Sequence, residues 1–96
     1  MKNYYVYITA SEPNGTLYIG MTSNLIKQIW EHKSKIISSF TSKYNVCKLV
    51  YLEEFQDINL AVAKEKLLKG WQRKWKIDLV EQENQDWKDL YDEVIK

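Results

Sequence analysis

The chain has 96 residues, 45% of them apolar, with 14 Lys plus Arg against 13 Asp plus Glu. The near-neutral total hides an asymmetry. Residues 1–76 carry 12 basic and 6 acidic side chains, a net of +6, and residues 77–96 carry 2 basic and 7 acidic, a net of −5. A chain this short predicts one domain over 1–96 with an acidic C-terminal segment at 77–96, and a core that is just sufficient. A single cysteine, Cys47, rules out an intrachain disulfide and a cysteine zinc site, and its default setting is the reduced cytoplasm. No apolar run approaches the roughly 18 residues of a membrane span, and Met1-Lys2-Asn3-Tyr4 leads directly into a strand-like pattern with no signal-peptide core.

Residues 3–9 are β-branched and aromatic and predict a strand, with Tyr5, Tyr7 and Thr9 on one face and Tyr4, Val6 and Ile8 on the other. Ser11-Glu12-Pro13-Asn14-Gly15 predicts a turn, because proline presets φ and Asn-Gly tolerates positive φ. A second strand follows over about 16–21, placing Leu17, Ile19 and Met21 opposite Tyr18 and Gly20. The two strands predict an antiparallel hairpin on which Tyr5, Tyr7 and Tyr18 share a face. Thr22, Ser23 or Asn24 caps a helix to about 35, whose apolar face reads Leu25, Ile26, Ile29 and Trp30, with Gln28 and His32 one turn apart on its flank. Residues 38–47 read as irregular, anchored by Phe40 and Tyr44. A third strand is expected over 48–55, an Asp57-capped helix to about 69 stopped by Gly70, a basic helix from about Trp71 to 82, and a short acidic helix or turn near 86–94. The order ββαβαα predicts an α+β fold, a small three-stranded antiparallel sheet flanked by helices.

Three features bear on chemistry. In the 57–69 helix, Ile58, Ala61, Val62 and Leu68 define an apolar face, and Glu65 falls near its centre, where a carboxylate is costly unless paired or bound to metal. An ion pair with a neighbouring lysine accounts for it equally well. The tyrosines of the hairpin serve either as packing residues or as chemistry. The run Lys64, Lys66, Lys69, Arg73, Lys74 and Lys76, interleaved with Trp71 and Trp75, suits phosphates and bases, while the i, i+4 spacing of the tryptophans equally fits core packing. No glycine pattern fits a phosphate loop, and His32 has no second histidine or nucleophile to form a metal cluster or triad.

Tyr5-Val6-Tyr7 and, about ten residues on, Tyr18-Ile19-Gly20 resemble the paired motifs of the GIY-YIG nuclease superfamily, in its small single-domain branch. Trp30-Glu31-His32-Lys33, the run Ala63–Arg73, and Asn84 with Trp87-Lys88-Asp89-Leu90 extend the resemblance over nearly the whole chain. It also takes in the N-terminal nuclease domain found in the excinuclease ABC complex, and hence a DNA-repair setting. The resemblance implies the same sheet and a Mg²⁺-dependent endonuclease, with Mn²⁺ as a substitute, that hydrolyses DNA phosphodiesters directed by structure rather than by sequence. Carried over by position, it implies Glu65 as the ligand of one divalent ion, Tyr7 and Tyr18 as the motif tyrosines, His32 as an active-site histidine and Asn84 as a downstream active-site residue. From the distribution of basic side chains, Lys27, Lys33, Lys69, Arg73 and Lys74 are the expected nucleic-acid contacts. Gln28 occupies the place of the family's phosphate-directed arginine, and its amide has neither the charge nor the fork of a guanidinium. Met21 and Gln85 also depart from the pattern, where relatives carry lysine and proline. Two functions follow from this: an endonuclease slowed by Gln28, or a nucleic-acid-binding or interaction module that kept the fold and lost the chemistry. A structural protein with a tyrosine-rich core is the third.

Overall fold

The computed structural model describes residues 3–34 and 46–95. Its elements are β1 (Tyr4–Ala10), β2 (Leu17–Thr22), α1 (Leu25–Lys33), β3 (Lys48–Phe55), α2 (Ile58–Gly70), α3 (Arg73–Glu83) and the single turn α4 (Tyr91–Val94). The three strands form one antiparallel sheet in the order β2-β1-β3, with Tyr7 opposite Gly20 on one side and Leu52 on the other. The α+β architecture expected from the sequence is therefore the one observed, with strand ends within one residue of expectation. Of the irregular segment expected at 38–47, all but Val46 and Cys47, including Phe40 and Tyr44, lies outside the described residues.

The period-2 pattern of β1 divides the core in two. Val6, Ile8 and Ala10 join Ile19, Val50, Tyr51, Ala61, Leu68, Val80 and Trp87 on the face covered by α2 and α3. Tyr7 joins Leu25, Ile29 and Leu49 on the opposite face, covered by α1 and flanked by Leu90, Tyr91 and Val94 at the C-terminus. Each fully buried aliphatic side chain contributes about 1.5–3 kcal/mol, so the two clusters together hold the sheet between its helices.

Capping follows the local chemistry. Asn24 accepts from the Lys27 amide at 3.2 Å and Asp57 from the Asn59 amide at 2.8 Å. Gly70 is the last residue of α2 rather than its stop, and the extended backbone of Trp71 ends the helix instead. The buried stripe of α1 is Leu25, Ile29 and His32, whereas Ile26 and Trp30, expected to be inside, are 47% and 51% exposed. His32 takes the inward position because it finds polar partners there, and the face turns accordingly. On α2, Ala61 and Leu68 are buried as expected but Ile58 is exposed. Of the two tryptophans for which core packing was expected, Trp71 packs on the core and Trp75 lies 48% exposed, edge-on to it.

The segment after α3 is pinned to the outer edge of β3. Asn84 donates to the Val50 and Lys88 carbonyls at 3.1 and 2.8 Å and accepts from the Lys88 amide at 3.0 Å. Asp89 accepts from the Leu49 and Tyr91 amides and pairs with Lys33 of α1. Trp87 sits at φ 56°, an unusual value for a bulky residue, and is held there by burial and by its indole N–H donating to Glu81 at 2.8 Å. Replacing Asn84 with Ala strands the buried Val50 carbonyl, and we expect a loss of about 1–3 kcal/mol in urea unfolding. A loss below about 0.5 kcal/mol would contradict this role.

Candidate active site

Tyr7 is the hub of the site. It is 1% exposed, and its ring lies across Gly20 on the neighbouring strand. A Cβ at position 20 would stand 2.5 Å from the Tyr7 hydroxyl oxygen and 2.6 Å from its ring, so only glycine admits the phenol there. The motif Tyr18-Ile19-Gly20 is conspicuous in the sequence, but the task of its glycine becomes visible only across the sheet.

Around Tyr7 stand Tyr18, Gln28 and His32. The Tyr7 and Tyr18 rings are 6.4 Å apart, and the His32 ring lies 6.1 Å from the first and 5.6 Å from the second. The Tyr7 hydroxyl is 3.3 Å from His32 Nε2, and the Gln28 amide nitrogen approaches the same atom at 3.5 Å. Gln28 also lies close enough to the Tyr7 hydroxyl to oppose the rise in its pKa. The Tyr7 hydroxyl and the Gln28 amide converge on Nε2, the tautomer of the ring sets which group donates at the Tyr7 contact, and the other ring nitrogen is Nδ1. That Nδ1 is buried without a hydrogen-bond partner among the described residues.

The electrostatics follow from burial. Desolvation pushes the Tyr7 pKa well above its ordinary value of 10; Tyr18 and the Glu65 carboxylate add to the rise, and the Gln28 side chain opposes it. Desolvation likewise holds His32 below its ordinary 6.5, against the upward pull of Glu31. Glu65 stands on α2, within Coulombic range of Tyr7. Its side chain is 21% exposed and pairs with Lys69 one turn on, at 3.2 Å. The carboxylate expected at the centre of an apolar face thus lies at its wet edge with an intrahelical partner.

The structure brings Tyr7, Tyr18, Gln28 and His32 into contact, with Glu65 near enough to act on Tyr7. Asn84 is not part of this contact set: its amide is engaged by Val50 and Lys88 at the outer edge of β3. Among the residues expected to meet DNA, Arg73 is committed to the Asn14 and Gly15 carbonyls of the β1–β2 turn, Lys33 to Asp89 and the Tyr91 ring, and Lys69 to Glu65. Lys27 and Lys74 project from exposed positions. Met21 and Gln85 are a half-buried strand residue and an exposed loop residue.

The family model for the GIY-YIG catalytic domain matches residues 3–78. The chain belongs to the GIY-YIG family. It is 34% identical over 83 residues to a UPF0213 protein of Syntrophus aciditrophicus, covering 85% of this chain and 94% of that one. It is 30% identical over 82 residues to a UPF0213 protein of Staphylococcus haemolyticus, covering 85% and 99%. The solution NMR structure of a UPF0213 protein from Bacillus halodurans superimposes with a TM-score of 0.58 at 26% identity, covering 91% of this chain and 92% of that one. The fold of this GIY-YIG protein is therefore a nuclease-family fold, and the family-matched stretch ends before Asn84.

The lowered pKa of His32 has a measurable consequence. Between 6.5 and the lower folded-state value, the unfolded chain binds a proton that the folded chain excludes. Stability is thus retained above 6.5 and falls as pH drops through that window. His32 is the only histidine, so a single imidazole NMR titration below 6.5 is expected, together with a Tm that falls on acidification and does so less in His32→Gln. An imidazole titrating at or above 6.5 would contradict this placement.

Proposed function

We propose that this GIY-YIG protein hydrolyses DNA phosphodiester bonds with the help of one divalent cation, at a rate limited by Gln28. The observation that carries the reading is the convergence of Tyr7, Tyr18, Gln28 and His32 beside Glu65 in a chain whose family fold is that of nucleases.

The donor set suits a hydrated Mg²⁺ or Mn²⁺ rather than a caged ion. Glu65 offers one hard carboxylate, and no group of three or more His, Cys, Asp or Glu able to hold a metal occurs among the described residues. Mg²⁺ keeps most of its waters and takes one or two carboxylates plus substrate phosphate. Glu65 would hold the ion on releasing Lys69, and the ion would supply positive charge to the phosphate and the leaving oxygen. Lys69, once released, is a cation available to the substrate backbone, and Lys27 and Lys74 add to it from exposed positions.

The remaining steps fall to the side chains. In the tautomer with its proton on Nδ1, His32 accepts from the Tyr7 hydroxyl at Nε2, and burial keeps that imidazole neutral near pH 7 and able to accept a proton. Tyr7 and His32 thus form a two-member path along which a proton leaves the nucleophile side of the site. The raised pKa of Tyr7 keeps the phenol protonated in the free protein, so added positive charge is what makes it a competent base. An arginine at position 28 would supply that charge next to the hydroxyl, and Gln28 supplies a neutral amide in its place. The same residue therefore weakens both the base and the grip on phosphate. Cys47 as the single cysteine, together with a phosphodiester substrate, suits a cytoplasmic protein. Among the described residues no helix is long and apolar enough to cross a membrane.

Gln28 and the internal commitments of Lys33 and Arg73 favour the second reading, a nucleic-acid-binding module without turnover. Plasmid nicking separates the two. In Mg²⁺ or Mn²⁺ the protein is expected to nick supercoiled DNA slowly. Glu65→Gln is expected to reduce nicking to background, and Gln28→Arg to raise it by at least about tenfold. Nicking that survives Glu65→Gln would place the activity elsewhere, and salt-sensitive binding without nicking in either wild type or Gln28→Arg would establish the binding module.

A further inference from the structure

The motif of tryptophans among cations at 64–76 is not used by the site around Tyr7. Trp71 and Trp75 meet edge-to-face with centroids 6.0 Å apart and planes at 89°. With Asp78, Leu79 and Gln82 they line a slot of about 210 Å³ on one face of α3. Trp71 is fixed by its packing on the core, and the start of α3 is fixed by Arg73, whose guanidinium clasps the Asn14 and Gly15 carbonyls of the β1–β2 turn. Trp75 therefore presents a half-exposed indole on a rigid mount, where ordering it costs little additional entropy on binding.

We propose that this slot takes a single unstacked nucleobase of a bound nucleic-acid strand, which makes DNA with unpaired bases the preferred substrate class; the inference rests on the nucleic-acid reading above. The indole of Trp75 supplies the stacking face, and Leu79 the apolar floor. Gln82 offers a donor and an acceptor to a base edge, and the Asp78 carboxylate accepts from an exocyclic amino group, which favours cytosine or adenine over thymine. The surrounding charge suits the backbone of the same strand: Lys74 precedes Trp75 on the exposed surface, and Lys69 occupies the last turn of α2. Glu65 and Gly70, the last residue of α2, are separated by about 7.5 Å of helical rise and Trp71 follows directly, so a strand whose phosphate lies at Glu65 reaches the slot within a few nucleotides. A paired duplex offers no free base face, and its binding is expected to depend on the cations alone.

Fluorescence anisotropy with labelled oligo-dC, oligo-dT and a duplex at low salt, in the absence of divalent ions, tests this. Wild type is expected to bind oligo-dC more tightly than oligo-dT. Trp75→Ala is expected to weaken oligo-dC binding about 10-fold to 100-fold while leaving duplex affinity and the salt slope unchanged, with Trp75→Phe recovering part of the loss. Lys74→Gln should instead lower the salt slope on both forms. Because Trp75 is half exposed, its variants are expected to keep the wild-type Tm. Equal oligo-dC affinity in wild type and Trp75→Ala would overturn the slot while leaving the nicking result at Glu65 untouched. Binding to none of the three probes by wild type would overturn the slot, and, where nicking in Mg²⁺ or Mn²⁺ is absent as well, the nucleic-acid reading with it. A Trp75-dependent dimer in sedimentation, with no effect of Trp75→Ala on DNA, would assign the slot to a second copy of the chain and overturn the proposal.

Discussion

The structure depends on one close approach, the Tyr7 phenol lying across Gly20. The central strand must direct a large polar ring into the side of the sheet that α1 covers, and the neighbouring strand must lack a side chain at that point. Once the ring is seated, its hydroxyl meets His32 and Gln28, and this contact turns α1 so that an imidazole, rather than an indole, faces inward. The orientation of α1, the neutrality of His32 and the high pKa of Tyr7 all follow from that seating. The cost is the desolvation of two titratable groups, which mutual hydrogen bonding offsets in part.

A second constraint comes from the other end of the chain. Asn84, Trp87 and Asp89 bind the acidic C-terminal segment to the edge of β3, and Asp89 reaches on to Lys33 of α1. The segment that makes the net charge near neutral is thus a structural strap, and one of its carboxylates neutralises a lysine beside the site. The basic excess of the body is correspondingly smaller as a surface property than as a count. Arg73 holds the hairpin turn, Lys69 holds Glu65 and Lys64 faces Glu53 at 3.4 Å. The cations that remain outward, Lys27 and Lys74 among them, carry more of the long-range attraction for phosphate than composition alone suggests.

The strands and their faces were legible in the sequence because alternation in β1 and β2 is strict and the Pro-Asn-Gly turn sets the register. The helices were harder for identifiable reasons. Counting α1 by hydropathy puts Trp30 inside and leaves His32 on the flank, because a hydropathy scale assigns no partner to an imidazole, and Tyr7 and Gln28 are that partner. Ile58 and Trp75 sit at helix starts, where the local period cannot say which side the next element covers. Lys33 pairing with Asp89 and Arg73 clasping Asn14 span more than fifty positions, and nothing local announces them. The members of the site cluster were readable as residue types at family positions, but the protonation states that decide what they can do arise from burial. Those states appear only when the sheet is assembled.

The central claim is that Tyr7 is a buried, neutral hydroxyl hydrogen-bonded to a neutral His32. The most direct test is a titration of ¹³Cζ-labelled tyrosine by NMR, with Tyr7 assigned by Tyr7→Phe. The Tyr7 resonance is expected to stay in its protonated position as the pH passes the ordinary tyrosine value of 10. A Tyr7 that ionises at or below 10 would contradict the account, because the ring would then be solvated or held by positive charge that the site does not contain.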